Sequence, residues 1–359
     1  MPLTTTTIGA FPKPKSTPVQ DWFLGSKSDE EKKASKGLLA NWSPGAYEKA
    51  LEEAGENAEK LFLQAIEEVV TDQVNAGIDV PTDGEVRRES YVLYQCRFLN
   101  GISFKEVTHK SVRQGAFEAD LPTIIGPISS KEIRLHHDWK SAQQFTKKPL
   151  KITLPGPMTI TDSIANNYYD DLKKLGFDFA MALNKEVKAL VDAGCQYIQV
   201  DEPVFARKPE QAIEYGMENL ERTMHGIPKE VQRVCHICCG YPNSLDSEGY
   251  KKADLDAYDR IADLVDQSSI DEVSLEDSHR HNDLSLLEKF EKTKVIFGVI
   301  DIARSRMEDV EEVRSRILDA LNHIDENRLI AAPDCGLGFF SREQAIEKMS
   351  ILSKAAKSI

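Results

Sequence analysis

The sequence predicts an α/β fold, a (β/α)8 barrel made by one domain, and three observations carry that prediction. Short β-rich runs recur eight times with helical stretches between them. Several of these runs are nearly continuously apolar, as parallel strands covered on both faces are. Polar residues capable of chemistry fall where the runs end, and barrels of this kind carry their sites at the C-terminal ends of their strands. Eight strands is the count that closes such a TIM barrel. A chain of 359 residues is long for an ordinary domain but normal for one barrel with insertions, so a single catalytic unit over residues 1–359 is expected.

The runs come in order. Thr5-Thr6-Thr7-Ile8 is the first, Ile78-Asp79-Val80-Pro81 the second, Lys151-Ile152-Thr153-Leu154 the third and Tyr197-Ile198-Gln199-Val200 the fourth. The fifth covers 233–237, the sixth 272–275, the seventh 295–299 and the eighth 328–331. Helices are expected between them. The run 47–76 is long and amphipathic, and 177–193 stops at Gly194, a C-cap residue. The run 307–324 has apolar residues at helical spacing and acids in its first turn. Ser341 with Gln344 three residues on is a capping box for the last helix. The rhythm breaks after the second strand, where about 98–130 reads as a β-rich insertion. The stretch 12–44, rich in Pro, Lys and Ser, reads as a long loop over one barrel end.

Composition narrows the function. With 41% hydrophobic and 29% charged residues the chain can bury a large core and stay in solution. A net charge of -14 argues against nucleic acid or an anionic membrane as partner. No apolar run approaches the ~18 residues of a membrane span. The start, Met1-Pro2-Leu3-Thr4, has neither the basic nor the apolar region of a signal peptide, so a cytoplasmic protein is expected. In that setting the six cysteines point to thiolate chemistry or metal binding rather than disulfides. Cys96, Cys195, Cys235 and Cys239 are expected to be small buried hydrophobes.

The informative residues are His236, Cys238, Glu276 and Cys335, each at or just beyond a strand end. In an extended strand residues i and i+2 share a face, so His236 and Cys238 project together while Cys235 and Cys239 point away. One imidazole, two thiolates and a carboxylate form a set that suits tetrahedral zinc. The bland alternative is a core histidine among packing cysteines; Cys335 and Glu276 at matching strand ends favour the metal. His279 and His281 lie beyond the sixth strand in a polar loop and read as surface or substrate-facing groups, and His225 and His323 as ordinary ones. Asp201, in Asp201-Glu202-Pro203, stands one strand before His236 and is placed for a substrate ammonium. Glu85 follows the second strand and faces the same choice between substrate and the neighbouring Arg87 and Arg88. Asp79 and Asp83 read as structural, and Gly156 and Gly336 as tight-turn residues beside the site.

A family resemblance now emerges. Ile8-Gly9-Ala10-Phe11-Pro12, Asp83-Gly84-Glu85, Gly156-Pro157-Met158-Thr159-Ile160, Gln199-Val200-Asp201-Glu202-Pro203, His236-Ile237-Cys238, Ser274-Leu275-Glu276 and Pro333-Asp334-Cys335-Gly336-Leu337 occur in this order. Together they resemble the C-terminal catalytic domain of cobalamin-independent methionine synthase, in a stand-alone core form without the large N-terminal domain. The resemblance implies zinc held by His236, Cys238, Glu276 and Cys335, with the sulfur of homocysteine joining it. It implies that Glu85 and Asp201 grip the amino group of homocysteine, and that the backbone around Ile8 and Ala10 helps hold its carboxylate. Three positions depart from the family pattern. Ala10 stands where a serine is typical, Ser163 where a tryptophan packs on the folate pterin, and Ala303 where a catalytic histidine follows the seventh strand. The thiol half of the family site is therefore present and the donor half altered.

The reading is a zinc-dependent methyltransferase making methionine from homocysteine, with methylfolate or a methyl-corrinoid protein as donor. Alkyl transfer to another small thiol such as coenzyme M keeps the same metal chemistry. A metal-free barrel resembling uroporphyrinogen decarboxylase is opposed by His236, Cys238 and Cys335. A non-catalytic zinc-stabilised barrel is opposed by the spread of the donors over three strands.

Overall fold

The structure is a computed structural model of the chain and describes residues 2–21, 43–112, 117–242, 244–249 and 251–359. Most of the predicted loop over 12–44 lies outside the described residues. Among the described residues the strands are β1 (Leu99–Val112), β2 (Phe117–Ser130), β3 (Lys151–Pro155), β4 (Ala165–Asn166), β5 (Tyr197–Asp201), β6 (Gln232–Ile237), β7 (Glu272–Leu275), β8 (Lys294–Ile300) and β9 (Leu329–Pro333). The last six predicted barrel strands are β3 and β5 to β9, each within two residues of its expected bounds. They form one parallel sheet in the order β3-β5-β6-β7-β8-β9.

The first two predicted strands join the ring more sparingly. Parallel bridges pair Thr82 with Lys151, Thr6 with Val80 and Thr5 with Ala331, which links the β3 edge to the β9 edge and completes the eight-membered ring. Side chains replace much of the missing ladder. Thr6 Oγ1 donates to Val80 O at 2.8 Å, Thr82 Oγ1 to Gly9 O at 2.8 Å, and the Asp79 carboxylate accepts from Thr5 N and Thr5 Oγ1 at 3.1 and 3.0 Å. Hydroxyl-to-backbone bonds of this kind compete with regular pairing, which explains why these segments are bridges rather than strands. Asp79 is thus structural, as its sequence context suggested.

The insertion is an antiparallel hairpin of β1 and β2, whose second strand pairs in parallel with the two-residue β4. Around the ring, the predicted helix over 47–76 divides at Gly55, which has φ +53°, into Ala46–Ala54, a 3-10 turn at Gly55–Asn57 and Ala58–Asn75. Asp171 accepts from Lys173 N at 2.8 Å, so the next long helix starts earlier than predicted and runs Leu172–Ala193 to its Gly194 cap. The predicted 307–324 helix contracts to Val310–Ala320 because Asp309 and Glu312 form a capping box at its start. Ser341 and Gln344 form the expected box, with Gln344 N donating to Ser341 Oγ and Ser341 N donating to Gln344 Oε1. A cap of this kind contributes about 1 kcal/mol.

Two apolar layers follow from the pleat. Ile8, Val234, Ile296, Ile330 and Ala332 fill the barrel interior, while the larger cluster lies between the sheet and the helices. Cys96, Cys195, Cys235 and Cys239 belong to that outer layer. No helix among the described residues is long and apolar enough to cross a membrane.

Candidate active site

Strand register assembles the site before any side chain is considered. Asp201 on β5, His236 on β6 and Ser274 on β7 stand opposite one another across three neighbouring strands. All three are close to their strands' C-terminal ends, at the mouth of the barrel. Cys238 is two residues past His236 and on the same side, and Cys335 follows the end of β9.

His236, Cys238 and Cys335 come together, their donor atoms all lying within 4.8 Å of one another. The imidazole is oriented from behind, with Nδ1 2.9 Å from Ser274 Oγ, so that Nε2 faces Cys335 Sγ at 3.4 Å. Fixing one ring nitrogen to present the other is how metal-binding histidines are commonly set. The thiols share a proton unequally. Contact with the Cys335 thiol, then the neighbouring His236, draws Cys238 well below the usual thiol range. Cys335 is pushed well above it by the same contact and by burial. Burial opposes charge on His236, but Cys238, Asp201 and Glu276 outweigh it and raise its pKa. Two sulfurs and one imidazole nitrogen at this spacing fit a borderline-soft divalent cation.

Glu276 occupies the adjacent strand end, but its carboxylate lies outside that 4.8 Å group. Its Oε2 accepts from Lys252 Nζ at 2.9 Å, and both side chains are buried. Tyr258 ties the two strand ends together, donating from its hydroxyl to Ile237 O at 2.7 Å while accepting from Glu276 N at 3.0 Å. Asp334, one residue before Cys335, accepts from Asp277 N, Ser278 N and His279 N. The loop after Glu276 is therefore pinned to the loop that carries Cys335.

A cavity opens beside the three donors and is lined by Ile8, Ala10, Glu85, Asp201, Ser163 and Arg207 among others. Glu85 enters it by an unusual turn, since both Gly84 and Glu85 adopt left-handed backbone with φ of +65° and +57°. A non-glycine residue held there costs roughly 1–3 kcal/mol, here offset in part by the Asp83 carboxylate accepting from Glu85 N at 3.2 Å. Of the two neighbouring arginines, Arg87 pairs with Glu59 and Arg88 with Asp83 at 3.0 Å, whereas Arg88 stays 4.0 Å from Glu85. Thr153 Oγ1 donates to Glu85 Oε1 at 3.1 Å. Burial pushes the Glu85 carboxyl up to about 7 against the pull of Arg88. Asp201 is pushed up to about 6 by burial, against the attraction of His236 and a 2.7 Å bond from Gln199 Nε2. Gln199 Nε2 also donates to Ile8 O, tying the first barrel segment to the site.

Glu202, next to Asp201, turns the other way. Its carboxylate accepts from Met158 N, Thr159 N and Thr159 Oγ1 at 2.7–2.9 Å and caps the helix Pro157–Ser163. A Cβ on Gly156 would lie 2.1 Å from Glu202 Oε1, so glycine is required for this close approach. His279 faces Asp301 and His281 faces Asp277, so these two histidines are held by acids apart from the three donors. Ser163 lines the cavity and Ala303 is fully buried.

Sequence reasoning missed Lys252, Ser274, Tyr258, Gln199 and Asp334. The i, i+2 rule that paired His236 with Cys238 also links Gln199 to Asp201 and Ser274 to Glu276, and was a usable signal. Lys252 and Tyr258 reach the site across the fold and leave no local trace.

Fold and site together define a barrel enzyme that gathers two thiols and an imidazole at its mouth, beside a cavity lined by the Glu85 and Asp201 carboxyls. Residues 45–358 match the family described as the cobalamin-independent synthase catalytic domain. The chain belongs to that family, and it is a methyltransferase. A methionine synthase of Saccharolobus islandicus (strain Y.G.57.14 / Yellowstone #1) is 30% identical over 361 residues, covering 99% of this chain and 95% of the relative. The methionine synthase of Saccharolobus solfataricus is 29% identical over the same shares. Among solved structures, a B12-independent methionine synthase from Shewanella sp. W3-18-1 in complex with selenomethionine superposes with a TM-score of 0.84 at 30% identity, covering 100% of this chain and 98% of that one.

Proposed function

We propose that this chain is a zinc-dependent homocysteine S-methyltransferase that takes its methyl group from a methyl-corrinoid. The observation that carries this reading is the cluster of His236, Cys238 and Cys335 beside the Glu85 and Asp201 carboxylates in one cavity. His236, Cys238 and Cys335 would hold the zinc, with Glu276 as the fourth protein donor. Bound zinc acts as a Lewis acid that keeps a substrate thiol ionised at neutral pH, where a free thiol is mostly protonated and a poor nucleophile.

The chain's own groups do the rest. Glu85 and Asp201 face the cavity as carboxylates and accept from the ammonium of homocysteine. The backbone from Ile8 to Ala10, held by Gln199 and Thr82, offers polar groups to its carboxylate. Fixing the amino-acid end at these points leaves the sulfur directed at His236, Cys238 and Cys335, so the attack on the methyl group is made in a fixed orientation. The Shewanella relative is in complex with selenomethionine, an amino acid of similar size.

The donor assignment rests on Ser163 and Ala303. A methylated folate leaves as a nitrogen anion unless a proton reaches that nitrogen, and Ala303, where the family pattern has a histidine, offers none from that position. A methyl-corrinoid leaves as reduced cobalt, which needs no proton. Ser163 provides no flat apolar face for a pterin. The corrinoid is thus a substrate brought to the barrel mouth, not a resident group.

The test combines metal analysis with methyl transfer. Purified protein is expected to carry about one zinc per chain, lost in Cys238→Ser and Cys335→Ser. Homocysteine with methylcobalamin is expected to give methionine, and homocysteine with methyltetrahydrofolate to give little. Methionine from methylfolate alone would return the donor to the folate class, and folded protein without zinc would overturn the metal reading.

A further inference from the structure

We propose that Lys252 is a positioning residue that competes with the metal for the Glu276 carboxylate and so lowers the affinity of the site for zinc. The inference rests on the zinc reading above and adds to it a residue that the family's motif positions do not include.

The observation is a partition of four predicted donors into three and one. His236, Cys238 and Cys335 gather within 4.8 Å, while Glu276 stands outside that group. Its Oε2 meets the ammonium of Lys252 at 2.9 Å, with only 9% of the lysine and 4% of the glutamate side chain exposed. Water therefore does little to screen the pair, and a cation at this distance is a real competitor for the carboxylate. Lys252 is brought there by its own segment. Ala253 N donates to Cys239 O at 2.8 Å, anchoring the lysine beside the end of β6, and Arg280 Nη1 donates to Ala253 O from the loop beyond Glu276.

The remaining geometry keeps Glu276 near the metal without committing it. Its backbone is fixed by the Tyr258 hydroxyl, so only the carboxylate can turn between Lys252 and the three donors. An oxygen engaged by an ammonium is a poorer electron donor than a free one. The protein thus holds three firm donors and one held in reserve. That is the ligand number of catalytic zinc sites, whose fourth position is left for water or substrate. With Lys252 in place, a Glu276 carboxylate not engaged by the metal would leave no buried charge unpaired.

Zinc affinity, measured by chelator competition at fixed pH on the full chain, reads this directly. In Lys252→Met the carboxylate loses its rival and zinc binds about tenfold tighter, in the range by which outer-shell partners tune metal sites. Lys252→Arg keeps the charge and stays close to the wild-type affinity. Glu276→Gln costs little in the wild-type background and about tenfold or more in the Lys252→Met background. A lysine that only supports the fold would weaken zinc on removal and show no such dependence on Glu276. Unchanged or weaker zinc binding in folded Lys252→Met, with wild type holding its zinc, overturns this inference alone. A wild-type protein that binds no zinc overturns it together with the reading on which it rests. Circular dichroism and the melting temperature establish that each variant is folded. Should Lys252→Met fail to fold, Lys252→Gln and the Glu276→Gln affinity in the wild-type background decide the same question, a large loss there refuting a reserved ligand.

Discussion

Adding one methyl group at Gly9 tests the proposed ammonium grip directly. Gly9 is not among the positive-φ glycines, so alanine meets no backbone strain there. Its Cβ would lie 2.6 Å from Glu85 Oε1, 3.5 Å from Glu85 Cδ and 3.6 Å from Thr153 Cγ2. Only the first of these is a clash, and it falls on the free end of the glutamate. The carboxylate must therefore move, breaking its 3.1 Å bond from Thr153 Oγ1 and leaving the place where it would meet a substrate ammonium. A hydrogen bond between charged groups contributes about 1.5–3 kcal/mol. At about 1.4 kcal/mol per factor of ten, kcat/KM for homocysteine should fall roughly 10- to 100-fold in Gly9→Ala. Stability should fall by about 1–2 kcal/mol at most, since the lost threonine bond to the carboxylate, about 1.5–3 kcal/mol, is offset in part by the reduced freedom of the unfolded chain. The assay compares homocysteine with 4-mercaptobutyrate, the same thiol without its amino group. The variant should lose rate on the first and keep it on the second. Equal losses on both, or a homocysteine kcat/KM within twofold of wild type, would refute the role given to Glu85.

Two further outcomes follow from the same structure. The Glu85 carboxyl is raised by burial to about 7 and must be ionised to hold an ammonium, so the proposed contact should form above that pH and be lost as pH falls through it. Such a group is about 90% ionised at pH 8 and about 10% at pH 6, so kcat/KM for homocysteine should drop nearly tenfold between them, with the step near 7 absent in Glu85→Gln. A profile unaltered by that substitution would assign the step elsewhere. Stability gives the second outcome. Lys348 Nζ donates to both oxygens of Glu308 at 2.9 and 2.8 Å and to Asp301 O and Arg306 O, wholly buried. Glu308→Gln leaves that ammonium without its counter-charge and should cost about 3–5 kcal/mol in urea unfolding. A loss below about 1 kcal/mol would mean that the two carbonyls suffice.

The six central strands were legible because they are short β-rich runs with abrupt ends, several of them nearly continuously apolar as strands buried on both faces are. The first two were legible only in part. Threonines at 5, 6, 7 and 82 have high β propensity, but their hydroxyls take over bonds that a ladder would make, so propensity overstated the pairing. The break at Gly55 was hidden for a different reason. The amphipathic pattern continues on both sides of it, and periodicity does not register one residue with positive φ.

Site residues divide along the same physical line. His236 and Cys238 declared themselves through i, i+2 spacing, because a strand converts sequence parity into a shared face. The row of Asp201, His236 and Ser274 needs register as well, which sequence spacing does not carry but parallel pairing enforces. Lys252 needs still more, since it reaches Glu276 only once β6, β7 and the segment after Cys239 are in place. Reactivity at this barrel mouth therefore depends on both kinds of residue. On the proposed zinc reading, His236 and Cys238 follow from strand parity and Glu276 and Cys335 from strand ends, while the group proposed to contest Glu276 is supplied by a loop. If Lys252 contests Glu276 as proposed, its exchange alters the metal site without touching any donor, and sequences sharing His236, Cys238, Glu276 and Cys335 need not share one zinc affinity.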